Sequence, residues 1–473
     1  MQIHSRLKQT AKNNVDIGLA TCSVVSIVNL TQWHCLSDFP KCKIINKSFP
    51  PSKQWSFKSN QPKMFFPLLL AGVAAAVPIQ HGNVSTSTIT NIQVGPRPYF
   101  LVDKMDPSPL KTKLQSCAEK PITSSPAFAI SHRGGPLQFP EHSREGMLAA
   151  ARMGAGIIEC DVSFTSDEEL VCRHSQCDLH TTTNILTIPS LAKKCTTPFT
   201  PAKDGKSATA KCCTSDITLS EFKSLCAKMD SSNASATTPQ EYQGGTPDWR
   251  TDEYATCATP MEHNEYISLI DSLGLQFSPE LKAPQVAMPF HGNYTQQIYA
   301  QQMINDYKNR GIDPSRVWPQ SFQEDDIFYW IDHEPAFGKQ AIYLDERVDS
   351  PENYTKAVQS FPDLAKRGVK IMAPPIWALL NATSEGEIVP SQYAVEAKKA
   401  GLDIITWSLE RFAPLKQAAA QKDYYIQSIA SAIKGDGDMY RIVDALAKKV
   451  GVRGMFSDWP ATVTYYAACM GYQ

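Results

Sequence analysis

In Ile158-Glu159-Cys160-Asp161-Val162 two carboxylates stand two residues apart inside an apolar run. Side chains alternate faces along a strand, so Glu159 and Asp161 project together while Cys160 points away. Two such carboxylates repel each other and are costly to desolvate unless a cation joins them. A hard divalent ion with oxygen ligands meets that need. So would an ion pair with Lys or Arg, or an exposed edge strand. Ser278-Pro279-Glu280-Leu281-Lys282 repeats the pattern, with Glu280 and Lys282 on one face. A carboxylate for an ion and an ammonium for a phosphoryl oxygen fit one site. A plain surface pair is the alternative.

Ile130-Ser131-His132-Arg133-Gly134-Gly135 runs a strand into a basic pair and two glycines, where backbone can approach a ligand closely. Arg133 can grip a phosphate with two parallel N–H groups. His174 closes Leu170-Val171-Cys172-Arg173-His174, and two strand-end histidines suit a general acid and a general base. His180 and His291 compete for that role, but neither terminates a comparable strand. Glu141, in Pro140-Glu141-His142-Ser143, lies at a loop-to-helix boundary. It is either a further site acid or a first-turn acid favoured by the helix dipole.

Strands must carry these groups and helices must separate the strands. Candidate strands are 128–131, 156–162, 170–173, 275–281, 317–322, 340–344, 404–409 and 454–457. Helical spacing appears over 143–153, over 262–273 (closed by Gly274) and over 390–400 (closed by Gly401). Alternation of strand and helix predicts an α/β fold with a parallel sheet. Eight candidates favour a (β/α)8 TIM-type barrel, whose active site lies at the C-terminal ends of the strands. No Gly-x-Gly-x-x-Gly opens a helix after the first strand, which speaks against a dinucleotide-binding sheet. Two stretches break the alternation. The link from Asp161 to Leu170 is too short for a helical crossover. Residues 177–257 hold six cysteines among Thr, Ser, Pro and Lys. They are expected to form a disulfide-stapled insertion in a barrel loop, with a cysteine metal site as the alternative.

The chain has 473 residues and a formal net charge of -1, so charge offers no case for nucleic acid or an anionic membrane surface. Any phosphate must be held by a local site. Residues 1–63 show no sustained period and read as a non-native or disordered extension. From Met64 an apolar run reaches Val77 through Ala74-Ala75-Ala76, which predicts a signal peptide over 64–77. That run is too short to span a bilayer comfortably. A lead-in over 78–126 would precede the barrel at 127–473. Of 13 cysteines, three precede Met64 and ten follow it, an even number suited to full pairing. Sequons at Asn83, Asn233, Asn293, Asn353 and Asn381 fit an exported glycoprotein carrying N-glycans. No GPI-type hydrophobic tail is expected from the polar end of the chain. N-terminal sequencing of the secreted protein tests the start at Met64, which an intact Met1 would refute.

The ordered series His132-Arg133-Gly134, Pro140-Glu141-x-Ser143, Glu159-x-Asp161, His174 and Glu280-x-Lys282 resembles the glycerophosphodiester phosphodiesterase family. Gln320-Ser321-Phe322, Trp407-Ser408 and Phe456-Ser457-Asp458-Trp459-Pro460 resemble that family's last barrel strands. The resemblance covers residues 127–465. It implies a PLC-like phosphodiesterase barrel that hydrolyses glycerophosphodiesters to glycerol 3-phosphate and an alcohol. It implies Glu159, Asp161 and Glu280 as ligands of one divalent cation, Ca2+ or Mg2+, and His132 and His174 as the acid/base pair. Arg133, Lys282, Glu141 and Trp407 are then substrate- and phosphate-side residues. The expected setting is secreted or wall-associated, with a small-molecule substrate, no nucleic acid and no stable membrane span. The chain departs from the family pattern at His142, where Asn is usual, and at Ser175, where Asp is usual. Two alternatives stand beside this expectation. One is phospholipase D-like action on lysophospholipids, which a long apolar loop at the site mouth would favour. The other is a non-catalytic wall- or glycan-binding barrel, which a lost histidine or carboxylate would favour.

Overall fold

The computed structural model describes Ile89 and residues 91–473. The expected extension, the leader and the sequon at Asn83 lie outside the described residues. Eight parallel strands follow one another around a closed sheet. They are β1 (Ala129–Ser131), β2 (Ile157–Phe164), β3 (Gln276–Leu281), β4 (Gln320–Ser321), β5 (Ile342–Leu344), β6 (Ile371–Ala373), β7 (Asp403–Leu409) and β8 (Gly454–Ser457). β1 pairs with β8 on one side and β2 on the other, which closes the barrel. The fold is the expected (β/α)8 barrel.

One expected barrel strand is not in the barrel. Leu170–Cys172 folds back antiparallel on β2, pairing Val162 with Cys172 and Phe164 with Leu170. Only residues 165–169 separate the two, enough for a turn and too few for a helical crossover. The vacant place belongs to β6, a three-residue Ile-Met-Ala run directly before Pro374-Pro375. It is too short to display any period.

The helices use ordinary end signals. Ser143 Oγ accepts from Gly146 N at 3.1 Å and starts the helix Arg144–Arg152. The helix His263–Ser272 buries Tyr266, Ile267 and Ile270 against the sheet, and Gly274 ends the turn after it at φ +69°. Tyr266 also donates its hydroxyl to Ile158 O of β2 at 2.7 Å. Inside the barrel Ile130, Ile157, Ile342, Ile371, Ile405 and Phe456 form one apolar cluster. Each such side chain contributes roughly 1.5–3 kcal/mol on burial. Alternation from Ile157 places Glu159 and then Asp161 on this same inward face.

All ten described cysteines are paired: Cys117–Cys469, Cys160–Cys172, Cys177–Cys213, Cys195–Cys212 and Cys226–Cys257. The cysteine metal site is thereby ruled out for the six in the insertion. Three of the bridges lie inside the insertion, which also builds its own apolar core around Leu179, Ile185, Leu186 and Phe222. Cys117–Cys469 ties the lead-in to the C-terminal helix across 352 positions. Cys160–Cys172 fastens β2 to the hairpin strand on the face opposite Glu159 and Asp161.

Candidate active site

The parallel register sets Asp161 of β2 against Glu280 of β3. Both point inward, and Glu159 stands two residues before Asp161. Ligand oxygens of the three lie within 4.8 Å of one another, and all three residues are buried. Glu159 accepts from Arg133 N at 2.8 Å and from Gln320 Nε2 at 3.0 Å. His142 Nε2 lies 2.8 Å from Asp161 Oδ2. Lys282 Nζ lies 2.5 Å from Glu280. Burial, with Asp161 and Glu280 beside it, pushes the Glu159 carboxyl well above its ordinary range. Burial raises Glu280 to about 8, with Lys282 opposing and Asp161 adding to the rise. Burial acts on Asp161 too, but His142, Lys282 and His174 outweigh it and hold that carboxyl well below its usual range. An ionised Asp161 can only accept, so His142 Nε2 carries the proton.

Asp161 Oδ1 is buried and has no hydrogen-bond partner. A buried, unpaired carboxylate oxygen among like charges is costly for protein atoms alone and suited to a cation. Three oxygen donors with no sulfur or nitrogen match a hard divalent ion. The residues therefore fit the ion that the sequence led us to expect.

His132 follows β1, and its Nδ1 lies 2.5 Å from Asp458 Oδ1, just past β8. Burial pushes Asp458 up, but Arg411, His132 and Arg250 hold it below its ordinary value. It therefore accepts, Nδ1 keeps the proton, and the Nε2 lone pair is left for chemistry. Nε2 meets the Ser408 hydroxyl at 3.3 Å. Burial, joined by Arg133, lowers His132 to about 4 against the pull of Asp458. His174 extends from the hairpin strand that Cys160–Cys172 anchors. Burial, Arg133 and Lys282 hold its imidazole well below its ordinary value. Both histidines face one cavity of about 530 Å³, together with Arg133, Glu159, Glu280, Lys282 and Trp407.

Glu141 stands behind this wall as a shared counter-ion. It pairs with Arg133 at 3.1 Å and Arg411 at 2.9 Å, and Arg250 approaches to 3.8 Å. Trp407 donates Nε1 to Ala373 O at 2.7 Å and turns its ring to the cavity. His180 and His291 lie elsewhere: His180 accepts from Cys212 N inside the insertion, and His291 is exposed near Glu168.

Sequence reasoning missed Arg411, Arg250 and Asp230, and quoted Asp458 without a role. Arg250 and Asp230 belong to the Cys-rich insertion, which therefore reaches into the site. Arg250 NH2 contacts Asp458 Oδ2 at 3.3 Å, beside Arg411 NH1 at 3.1 Å. Asp230 lies 3.8 Å from Arg411 and faces the cavity. Arg250→Met takes one cation from behind the Asp458–His132 pair. The other charges around it (Arg133, Arg411, Glu141 and Asp458) stay. One cation fewer opposes protonation of His132, so its pKa rises. The acid limb of kcat/KM is then expected to move to higher pH. Arg411 still pairs both carboxylates, so the stability loss should stay below the roughly 3–5 kcal/mol of a buried ion stripped of its partner. An unmoved pH profile with an intact melting curve would confine Arg250 to a structural role.

The family model described as "Glycerophosphoryl diester phosphodiesterase family" matches residues 132–462. A protein of Arthroderma benhamiae named "Extracellular protein" is 52% identical over 242 residues, 51% of this chain and 99% of that protein. The glycerophosphodiester phosphodiesterase GDPD6 of Arabidopsis thaliana is 29% identical over 149 residues, 32% of this chain and 38% of the plant protein. A solved Oleispira antarctica phosphodiesterase, in complex with the product sn-glycerol-3-phosphate, superposes with a TM-score of 0.42 at 16% identity, covering 71% of this chain and 95% of that one.

Proposed function

The chain belongs to the glycerophosphoryl diester phosphodiesterase family, and on that premise we propose that it hydrolyses glycerophosphodiesters to glycerol 3-phosphate and an alcohol. The observation that carries this reading is one cavity bordered by two histidines, two phosphate-suited cations and a buried three-carboxylate cluster. Glu159, Asp161 and Glu280 would hold a divalent cation, Ca2+ or Mg2+, which supplies charge neutralisation at the phosphoryl oxygens.

The protein's own groups do the rest. Arg133 and Lys282 grip the phosphodiester. His132 Nε2 takes the proton of a substrate hydroxyl next to the phosphoester, displacing the long contact to Ser408. That oxygen bonds to phosphorus while the bond to the alcohol breaks. His174 gives its proton to the leaving oxygen. The negative charge of the bound phosphodiester offsets Arg133 and Lys282, the cations that hold the His174 pKa down, and so prepares it as the acid. The resulting cyclic phosphate is opened by water with the two histidines exchanging roles. Cys160–Cys172 supports this assignment by fixing the hairpin that bears His174 to the strand that bears Glu159 and Asp161.

A secreted setting is part of the proposal. Five disulfides and an extracellular relative support it. Asn293, Asn353 and Asn381 are exposed, as N-glycosylation requires, and Asn233 is half-buried. Among the described residues no helix is long and apolar enough to cross a membrane. The test is a panel of glycerophosphodiesters offered to the purified protein with and without chelator. Release of glycerol 3-phosphate that chelator abolishes and added Ca2+ or Mg2+ restores is expected. Hydrolysis indifferent to chelator would remove the cation from the proposal.

A further inference from the structure

His142 is buried, and its ring makes a single hydrogen bond, to Asp161. The turn that carries it is held from both sides. His142 N donates to Arg133 O at 3.0 Å, and the buried Arg173 donates NH2 to Glu141 O at 2.6 Å. Ser143, next in the chain, caps the helix that follows. Within this turn the His142 backbone is left-handed at φ +52°, a conformation that few residues with a side chain adopt. The ring's Nδ1 is buried without a partner. An uncommon backbone and a bare ring nitrogen are both tolerated where one N–H is held against Asp161. Such local costs gather at functional positions.

That N–H falls on one oxygen of the carboxylate. His142 Nε2 lies 2.8 Å from Asp161 Oδ2, and Arg133 Nε approaches the same oxygen to 3.6 Å. Oδ1 has no partner. The two oxygens are therefore unequal. A cation meets Oδ1 unopposed but must compete with N–H donors for Oδ2. The neighbouring carboxylates are engaged in the same way. Glu159 Oε2 accepts from Arg133 N and Oε1 from Gln320 Nε2, and Lys282 Nζ lies 2.5 Å from Glu280 Oε1. Ca2+ takes about six to eight oxygens in flexible geometry and uses carboxylates with one oxygen or two. Mg2+ is smaller, demands octahedral geometry and keeps several waters, so one oxygen from each carboxylate suffices.

We propose that His142 is a positioning residue for the cation: its Nε2–H holds Asp161 to one-oxygen binding through Oδ1 and so tilts the site from Ca2+ towards Mg2+. The inference rests on the cation site of the proposed function and deepens it. A group that hydrogen-bonds a metal ligand fixes its orientation and tunes its affinity.

Two substitutions separate the hydrogen bond from the mere presence of a polar side chain. The amide nitrogen of Gln can take the place of His Nε2, whereas that of Asn ends one atom short. Mg2+ and Ca2+ are titrated separately into cation-free wild type, His142→Gln and His142→Asn, with the heat of binding as the readout. A melting curve of each cation-free protein accompanies them. His142→Asn is expected to lower the ratio of Mg2+ to Ca2+ affinity by about tenfold or more, while His142→Gln stays within about threefold of wild type. An unmoved ratio in His142→Asn, or an equal fall in both variants, would overturn the inference. A lowered melting curve beside an unmoved ratio would give His142 a structural role only. Binding and hydrolysis fail separately. A shifted ratio in a protein that hydrolyses no glycerophosphodiester keeps the inference and removes the proposed activity. An unmoved ratio beside chelator-sensitive release of glycerol 3-phosphate keeps the activity and removes the inference.

Discussion

His132→Ala is expected to lower kcat by about 10²- to 10⁴-fold, or roughly 3–5 kcal/mol of barrier, with the fold retained. The imidazole is the group whose free nitrogen faces the cavity, and Asp458 fixes which nitrogen that is. Asp458 keeps Arg250 and Arg411 when the ring is gone, so no carboxylate is left buried and alone. The melting curve should therefore survive. The pH profile adds a second reading. His132 is lowered from its ordinary 6.5 to about 4, so it stays neutral and able to accept a proton throughout the neutral range. The acid limb of kcat/KM should accordingly fall near pH 4 rather than near 6.5. The same shift has a stability consequence with a definite sign. As pH falls from 6.5 towards 4 the unfolded chain takes up a proton at His132 before the native one does. Native stability is lost across that window. His132→Ala abolishes this contribution, so the variant should be less acid-sensitive than wild type while being far less active. Less than tenfold loss of kcat would exclude His132 as the base.

The parts legible in the sequence are those governed by local period. Glu159 and Asp161 could be placed on one face because strand alternation needs only three residues of chain. The helix starting after Ser143 was legible because its apolar residues recur at helical spacing over 143–153. What needed the fold was register and distance along the chain. Nothing local sets Asp161 against Glu280. Leu170–Cys172 displays the same apolar pattern as a barrel strand, and only the shortness of the link from β2 marks it as a hairpin. β6 was hidden because three residues carry no period. Arg250 contacts Asp458 across 208 positions and Arg411 contacts Glu141 across 270, each from a loop without pattern. His142 was legible as a departure from the family, but its bond to Asp161 was not. That bond depends on a left-handed backbone at φ +52°, which turns the ring inward. The insertion was expected as a disulfide-stapled barrel loop from its cysteines and composition. Its contribution of Arg250 and Asp230 to the site is a matter of tertiary contact.

Cation affinity is expected to tighten with rising pH, by about tenfold per unit below pH 8 for the proton displaced from Glu280. The reason is geometric. Three carboxylates whose oxygens lie within 4.8 Å cannot all be charged in a buried site without a counter-ion. Burial, only partly offset by Lys282, holds Glu280 up to about 8, and burial with Asp161 and Glu280 beside it holds Glu159 well above its ordinary range. Asp161 is already ionised, so the protons to be displaced are those of Glu159 and Glu280. Calorimetric titration with Ca2+ or Mg2+ at pH 7, in buffers of different ionisation enthalpy, should therefore register proton release. Glu280→Gln should weaken binding and flatten the pH dependence, because it removes both a charged donor and a proton to be lost. Asp161→Asn removes the one donor that needs no deprotonation and strips His142 of its partner. It should weaken binding at every pH and reduce kcat by about 10²- to 10³-fold, the usual cost of losing a main electrostatic stabiliser. Affinity that is flat from pH 6 to 9, or unchanged in both variants, would place the cation somewhere other than these three carboxylates. Lys282 would then be the sole counter-ion of Glu280, and the unpartnered Asp161 Oδ1 would need another explanation.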